Sequence, residues 1–291
     1  MKSKSSVEHF RESDAIGILY VVATPIGNLA DITLRALETL RTVDHIACED
    51  TRVTGVLCKH YGIPTPLFAY HEHNSDHVVP KIIASLQAGH NIALVSDAGT
   101  PLISDPGYRL VVAARAAGLR VVPLPGASSI LCALSASGMP TEHIHYAGFL
   151  PNNTTARKES FARLAGIDAT LVLLESNHRL VDSLRDAASI LGMSRRAVIG
   201  RELTKHFEEF TSGTLEELAR NYAARSQVKG EIVLMIEPPA QIALCEDAWM
   251  PLIEALIPHY PTKKVAQIIA DTLGGSRTTL YRLAQEAKDR L

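Results

Sequence analysis

The chain has 291 residues, a formal net charge of −2 at pH 7, 46% hydrophobic residues and 21% charged ones. That length exceeds what one hydrophobic core usually serves and predicts two domains with an appendage. The near-neutral charge excludes a uniformly basic nucleic-acid coat, and no run of 18 or more uncharged apolar residues is present to cross a bilayer.

Residues 1–15 lack the apolar run of a secretory signal and read as a polar, frayed tail, so a cytoplasmic protein is expected. Cys48, Cys58, Cys132 and Cys245 are scattered without a CxxC pair, which fits reduced thiols better than a zinc site or a disulfide framework. ILYVVAT at 18–24 is a short β-branched run ending in a Pro/Gly loop, and ITLRALETLRTV at 32–43 spaces Leu34, Leu37 and Leu40 as a helix does. The alternation continues through DHIACED at 44–50, a helix near 78–88, NIALVSD at 91–97, a helix in GYRLVVAARAAG at 107–118 and LRVVPLPG at 119–126. Strands separated by helices predict an α/β sheet with substantial parallel pairing.

PGASS then opens an apolar, small-residue helix, and the passage through GFLPNN marks the expected domain boundary. A second α/β series comes next in ATLVLLES (169–176), a helix at 178–192, AVIGREL (197–203), a helix at 214–225 and EIVLMIE (231–237). The expected domains are therefore 16–126 and 127–238, each with its own layered sheet, with EPPAQ at 237–241 as a linker and helices over 242–291. In this last part Ala266, Ile269 and Ala270 share one helix, Gly274-Gly275 make a turn, and Leu280 and Leu283 belong to the next helix, which is helix-turn-helix spacing. Six Lys/Arg against three Asp/Glu give residues 263–291 a charge of +3. A second helix opening at Ser276-Arg277-Thr278-Thr279 suits either nucleic-acid contact or plain helical packing with Ser276 as N-cap.

Neither a GxGxxG after the first strand nor a GxxxxGK[ST] occurs, which removes the ordinary dinucleotide and Walker signatures. The first strand instead runs into Thr24-Pro25-Ile26-Gly27-Asn28, where proline fixes φ and glycine permits close backbone approach. The loop from Ser96 to Gly107, SDAGTPLISDPG, packs two glycines, two prolines and two aspartates into twelve residues after a buried strand. Ligands of open α/β sheets bind beyond the carboxyl ends of strands, where such loops offer backbone donors and acceptors. His71-Glu72-His73-Asn74-Ser75-Asp76-His77 places His71 and His73 on one face if the segment is a strand, but the spacing is not HExxH; a solvated or substrate-lining loop fits better than a metal site.

TPIGN, Ala47-Cys48-Glu49-Asp50-Thr51-Arg52, SDAGTPLISDPG and PLPGASS, in this order, resemble the tetrapyrrole methylase superfamily of class III methyltransferases, and within it the ribosomal branch, over roughly residues 16–291. The resemblance implies a homodimeric two-domain α/β enzyme with a cofactor cleft between its domains and a small C-terminal helical, helix-turn-helix-like segment. It implies S-adenosylmethionine as cofactor and 2′-O-methylation of a cytidine in the decoding region of small-subunit ribosomal RNA, free or in the assembled subunit. The implied cofactor contacts are Pro25, Gly99, Thr100, Pro101, Ile103, Ser128 and Ser129 from the first half. From the second come Leu174, Glu175, Arg201, Gly230 and Glu231, and no metal is implied. Thr100 stands where many tetrapyrrole methylases carry Asp in a GDP turn, which counts against a porphyrin-type substrate.

For such a reaction Glu49 and Asp50 are candidates to accept or steer the hydroxyl proton, and Arg52 to hold an RNA phosphate; the alternative is an ion-pair and capping cluster. Arg157, Lys158, Arg163, Arg195 and Arg196 suit either RNA phosphates or a solvated basic face. Two competing functions share the scaffold: carbon methylation of a tetrapyrrole precursor, and a nucleic-acid-binding regulator with a metabolite-sensing body.

Overall fold

The computed structural model describes residues 16–239, 246–273 and 276–290. The expected tail at 1–15, the Gly274-Gly275 turn and the end of the expected linker lie outside them. Two compact units divide the chain after Pro239.

In the first unit the chain alternates strand and helix through β1 (Ile18–Val22), α1 (Leu34–Thr42), β2 (His45–Cys48), α2 (Thr51–Tyr61), β3 (Leu67–Ala69), α3 (Ser75–Gln87), β4 (Ile92–Val95), α4 (Tyr108–Ala116) and β5 (Arg120–Leu124). The five strands pair in the order β3-β2-β4-β1-β5, all parallel. Strand β4 is buried along its whole length, as a parallel strand covered on both faces must be. Alternate side chains feed two cores: Ala93 and Val95 join Val22, Leu37, Leu40 and Ile46 on one face, while Ile92 and Leu94 join Leu19, Ile82, Leu86 and Leu110 on the other. Local signals set the helix ends. Thr33 Oγ1 accepts from Ala36 N at 3.1 Å to start α1, and Gly62, at φ 60°, closes α2 in the left-handed conformation that a side chain disfavours.

The second half of this unit runs α5 (Ser129–Ser137), β6 (Ile144–Phe149), α6 (Thr154–Leu164), β7 (Thr170–Ser176), α7 (Leu180–Leu191), β8 (Arg196–Arg201), β9 (Glu209–Thr214), α8 (Leu215–Ala223) and β10 (Glu231–Ile236). Its sheet, β6-β7-β10-β8-β9, is mixed: only β6 and β7 are parallel. Ile232, Leu234 and Ile236 of β10 point to a core with Phe161, Leu171, Leu184 and Tyr222, and Val233 and Met235 to one with Ala133, Val172 and Val198. That second core also takes in Ile26, from the loop after β1, so the two sheets share apolar packing.

The other unit comprises α9 (Glu246–Leu256), α10 (Thr262–Leu273) and α11 (Arg277–Asp289) around Trp249, Ile253, Val265, Ala266, Ile269, Leu280 and Leu283. The helical spacing expected here is present, and Ser276 Oγ accepts from Thr279 N at 3.5 Å at the start of α11. No helix among the described residues is long and apolar enough to cross a membrane.

Two expectations need correction. His71 and His73 do not share a strand face: β3 ends at Ala69, and Asn74 turns the chain by accepting from His71 N and donating to the Ala69 carbonyl, both at 3.0 Å, around a 3-10 turn at Glu72–Asn74. The basic residues of the second half do not form one phosphate-tracking face. Arg157 is 2% exposed and pairs with Asp186 at 2.6 Å, and Arg195 is buried against the carbonyls of Glu237 and Ala165.

Candidate active site

Three loops at the carboxyl ends of adjacent parallel strands are stitched together. After β1, Thr24 and Gly99 exchange two backbone hydrogen bonds, 2.9 and 3.0 Å, in an isolated antiparallel bridge. Thr24 Oγ1 donates to the Ser96 carbonyl at 2.9 Å, and Thr100 Oγ1 donates to the Ala127 carbonyl at 3.1 Å, drawing in the turn after β5. Gly99 adopts φ 82°, and a Cβ there would stand 3.3 Å from Ile26 Cγ2, so both conformation and space call for glycine. The same loop holds Leu102 (φ 75°) and Ser104 (φ 63°) in left-handed backbone that residues with side chains rarely adopt.

These loops form one wall of a cavity of about 460 Å³. Gly99, Thr100, Ile103, Ser104 and Asp105 line it, together with Ile26 and with Ser128 and Ser129 at the N-terminus of α5. The opposite wall is strand ends: Leu174 to Asn177 leaving β7, Gly230 to Val233 entering β10, Leu203 after β8, and Tyr146 and Phe149 of β6. Ser104 Oγ and Tyr146 Oη, 2.6 Å apart, join the loop wall to the second sheet.

Nine of the twelve residues expected to touch a cofactor line this cavity: Gly99, Thr100, Ile103, Ser128, Ser129, Leu174, Glu175, Gly230 and Glu231. Pro25, Pro101 and Arg201 do not. Pro25 adjoins the lining residue Ile26, Pro101 is a buried residue of the loop, and the Arg201 guanidinium is held by Glu209 at 2.9 Å and the Lys229 carbonyl at 3.1 Å. The Glu175 carboxylate is also engaged, by the Ser183 hydroxyl, by Ser176 N at 2.7 Å and by Arg179 at 2.6 Å.

Glu49, Asp50 and Arg52 stand apart from the cavity lining. Asp50 caps α2, accepting from Arg52 N at 2.8 Å, and its side chain pairs with that of Arg52 at 2.6 Å, which holds its carboxyl down at about 2. Arg52 is highly exposed. Burial, then the charge of Asp97, raises Glu49 above the usual carboxylate range, with His71 opposing. Asp105, which no sequence signal singled out individually, is pushed up to about 6 by burial and by the neighbouring Glu49 and Asp97 charges, with the Ser96 hydroxyl acting against them. Tyr146, Phe149 and Leu203 also line the cavity without having been expected there; GFLP, read only as part of a boundary, was the one sequence signal near Tyr146 and Phe149, and Leu203 had none beyond ending GREL. Among the described residues no three His, Cys, Asp or Glu gather as a metal site.

The cavity suits a nucleoside-sized molecule, within the range of roughly 300–1,000 Å³ typical of small-ligand sites. The family of tetrapyrrole (corrin/porphyrin) methylases matches residues 18–219. The protein named ribosomal RNA small subunit methyltransferase I from Mesorhizobium japonicum is 52% identical over 93% of this chain and 92% of its own length. Its namesake from Escherichia coli O157:H7 is 46% identical over 96% and 98%. Among solved structures, uroporphyrin-III C-methyltransferase from Thermus thermophilus, in complex with S-adenosyl homocysteine, superposes with a TM-score of 0.51 at 20% identity, over 76% of this chain and 97% of that one; this likeness is one of fold. A two-sheet scaffold, a loop-walled cavity and close kinship over nearly the whole sequence agree: the chain belongs to the tetrapyrrole (corrin/porphyrin) methylases and is an S-adenosylmethionine-dependent methyltransferase.

Proposed function

We propose that this methyltransferase acts on small-subunit ribosomal RNA and places the methyl group on the 2′-hydroxyl of a cytidine in the decoding region. The observation that carries this reading is the 52% and 46% identity, over more than nine-tenths of the chain, to two proteins named for that RNA. In this reading residues 16–126 and 127–238 act as two domains facing the cavity. Gly99, Thr100 and Ile103 hold the cofactor from the loop side, Ser128 and Ser129 from the start of α5, and Leu174, Glu175, Gly230 and Glu231 from the strand ends. Pro25, Pro101 and Arg201 support it from behind by fixing the loops and Glu209.

The cofactor supplies a methyl group already activated on a sulfonium, so the protein's task is chiefly positioning and proton management. A homodimer working in the cytoplasm, on naked RNA or on the assembled subunit, completes the reading, with residues 263–291, which carry a charge of +3, lending affinity for phosphate.

The test is methyl transfer from labelled S-adenosylmethionine to small subunits, naked ribosomal RNA and a porphyrin precursor, with nucleoside analysis of the product. We expect label in 2′-O-methylcytidine. Label on the porphyrin alone would overturn the reading, and binding of the cofactor without any transfer would favour a sensing role.

A further inference from the structure

We propose that Asp105 is the catalytic residue that takes the proton of the acceptor hydroxyl, an assignment that rests on the RNA methyltransferase reading above.

Three carboxylates line the cavity, and two are already committed. Glu175 is held by Ser183, Ser176 N and Arg179. Glu231 pairs with Lys205 at 3.1 Å. Asp105 has no cationic partner among the described residues; only the Ser96 hydroxyl assists it. A carboxylate free of cations keeps its basicity, whereas one locked in an ion pair has lost it.

The loop is shaped to hold this side chain in place. Leu102 and Ser104, both left-handed, come just before it, and strained backbone of this kind persists where the surroundings enforce it, commonly at active sites. Ser104 is tied to Tyr146 across the cavity. Behind Asp105, at Gly107 (φ 142°), a Cβ would lie 2.8 Å from Leu102 Cδ1 and 3.0 Å from Leu94 Cδ2, so the loop's return path is fixed against the core.

The charges that act on Asp105 come from two neighbouring loops: Glu49 after β2 and Asp97 after β4. Around Glu49 stand Asp97, His71 and Asp50, and Asp50 is neutralised by Arg52. The negative neighbours and burial bring Asp105 to about 6, where a general base is still ionised at neutral pH yet far more basic than a free aspartate. Glu49 thus acts through Asp105 as a positioning and tuning residue. In the step itself, the hydroxyl oxygen forms a bond to the methyl carbon as the carbon–sulfur bond breaks. The electron pair of that bond stays on sulfur as a neutral thioether, and the hydroxyl proton passes to the Asp105 carboxylate and then to water.

The experiment tracks kcat/KM against pH for the wild type, Asp105→Asn, Asp105→Glu and Glu49→Gln, with S-adenosylhomocysteine binding measured by calorimetry. In the wild type the rate should rise with pH through about 6 and then level. Asp105→Asn should cut turnover by roughly 10²–10⁴-fold and abolish that rise while binding S-adenosylhomocysteine as tightly as the wild type. Asp105→Glu should recover part of the rate, and Glu49→Gln should move the rise to lower pH. Wild-type turnover with an unchanged pH profile in Asp105→Asn would overturn the assignment. So would a parallel loss of turnover and S-adenosylhomocysteine affinity, since that marks a structural role. If the wild type methylates no small-subunit RNA while still binding S-adenosylhomocysteine, the RNA reading falls first and this assignment with it.

Discussion

The two sheets contribute to one cavity in different ways. The first, all parallel, delivers every strand-to-helix loop to the same edge, so Thr24, Glu49, Ser96 to Gly107 and Ser128 gather from distant parts of the chain. The second, mainly antiparallel, delivers strand ends: Ser176 of β7 faces Glu231 of β10 in register, and that rigid pair forms the opposite wall. Their electrostatics diverge as well. At the loop wall burial and the charges of Glu49 and Asp97, which stand behind it, raise Asp105, whereas behind the strand wall Glu209 sits between Arg225 and Arg201 and is held at about 2. One side keeps charge reactive; the other spends it on order.

The contrast can be broken most forcefully at the buried pair of the second half. Asp186→Ala leaves Arg157 buried without its counter-ion, and we expect a loss of about 3–5 kcal/mol in urea unfolding; a double replacement by apolar residues should recover much of it. On the loop side, Gly99→Val forces a left-handed, tightly packed position to carry a branched side chain. Cofactor affinity by calorimetry should fall at least about tenfold while the unfolding transition keeps most of its midpoint; unchanged affinity would remove the loop from the binding wall.

The charges give a third, opposed pair of outcomes. Glu209 has a folded value below its usual 4.5, so its contribution to stability is complete above about 4.5 and disappears as pH falls toward about 2. Glu209→Gln should therefore lower the calorimetric midpoint at pH 7 by a few degrees and converge on the wild type in acid. Asp105 has a folded value above its usual 3.8, so the wild type loses stability as pH rises from about 4 through about 6. Asp105→Asn should raise the midpoint above pH 6 and leave it unchanged at pH 4. The smallest effect is expected at Thr214, which caps α8 in a reciprocal capping box with Glu217: Thr214→Ala should cost about 1 kcal/mol, with the cavity and cofactor affinity untouched.

Most of the scaffold was legible because hydrophobic period and Pro/Gly punctuation agree along the chain, as in ILYVVATPIGN or EIVLMIEPP. Three strands were not. β3 is three residues long; β6 carries a bulge between Tyr146 and Gly148; β9, EFTSGT, is a polar edge strand specified by its pairing to β8 rather than by its own pattern. The glycine-rich loops announced a ligand site, and most of the residues expected there line the cavity. Asp105 could not be singled out in advance, because its distinction depends on Arg179 and Lys205 having claimed the other two carboxylates, and such long-range pairing leaves no mark in spacing. The same blindness made Arg157 and Arg195 look like surface cations.

The cavity's walls are drawn from residues as far apart as Ile26 and Val233. A ligand bound there recognises only chains in which both sheets are complete, and by mass action it withdraws them from the unfolding equilibrium, by about 2.7 kcal/mol when present at a hundred times its Kd. Saturation with the methyl donor would thereby protect the folded enzyme against unfolding as well as set how fast it works.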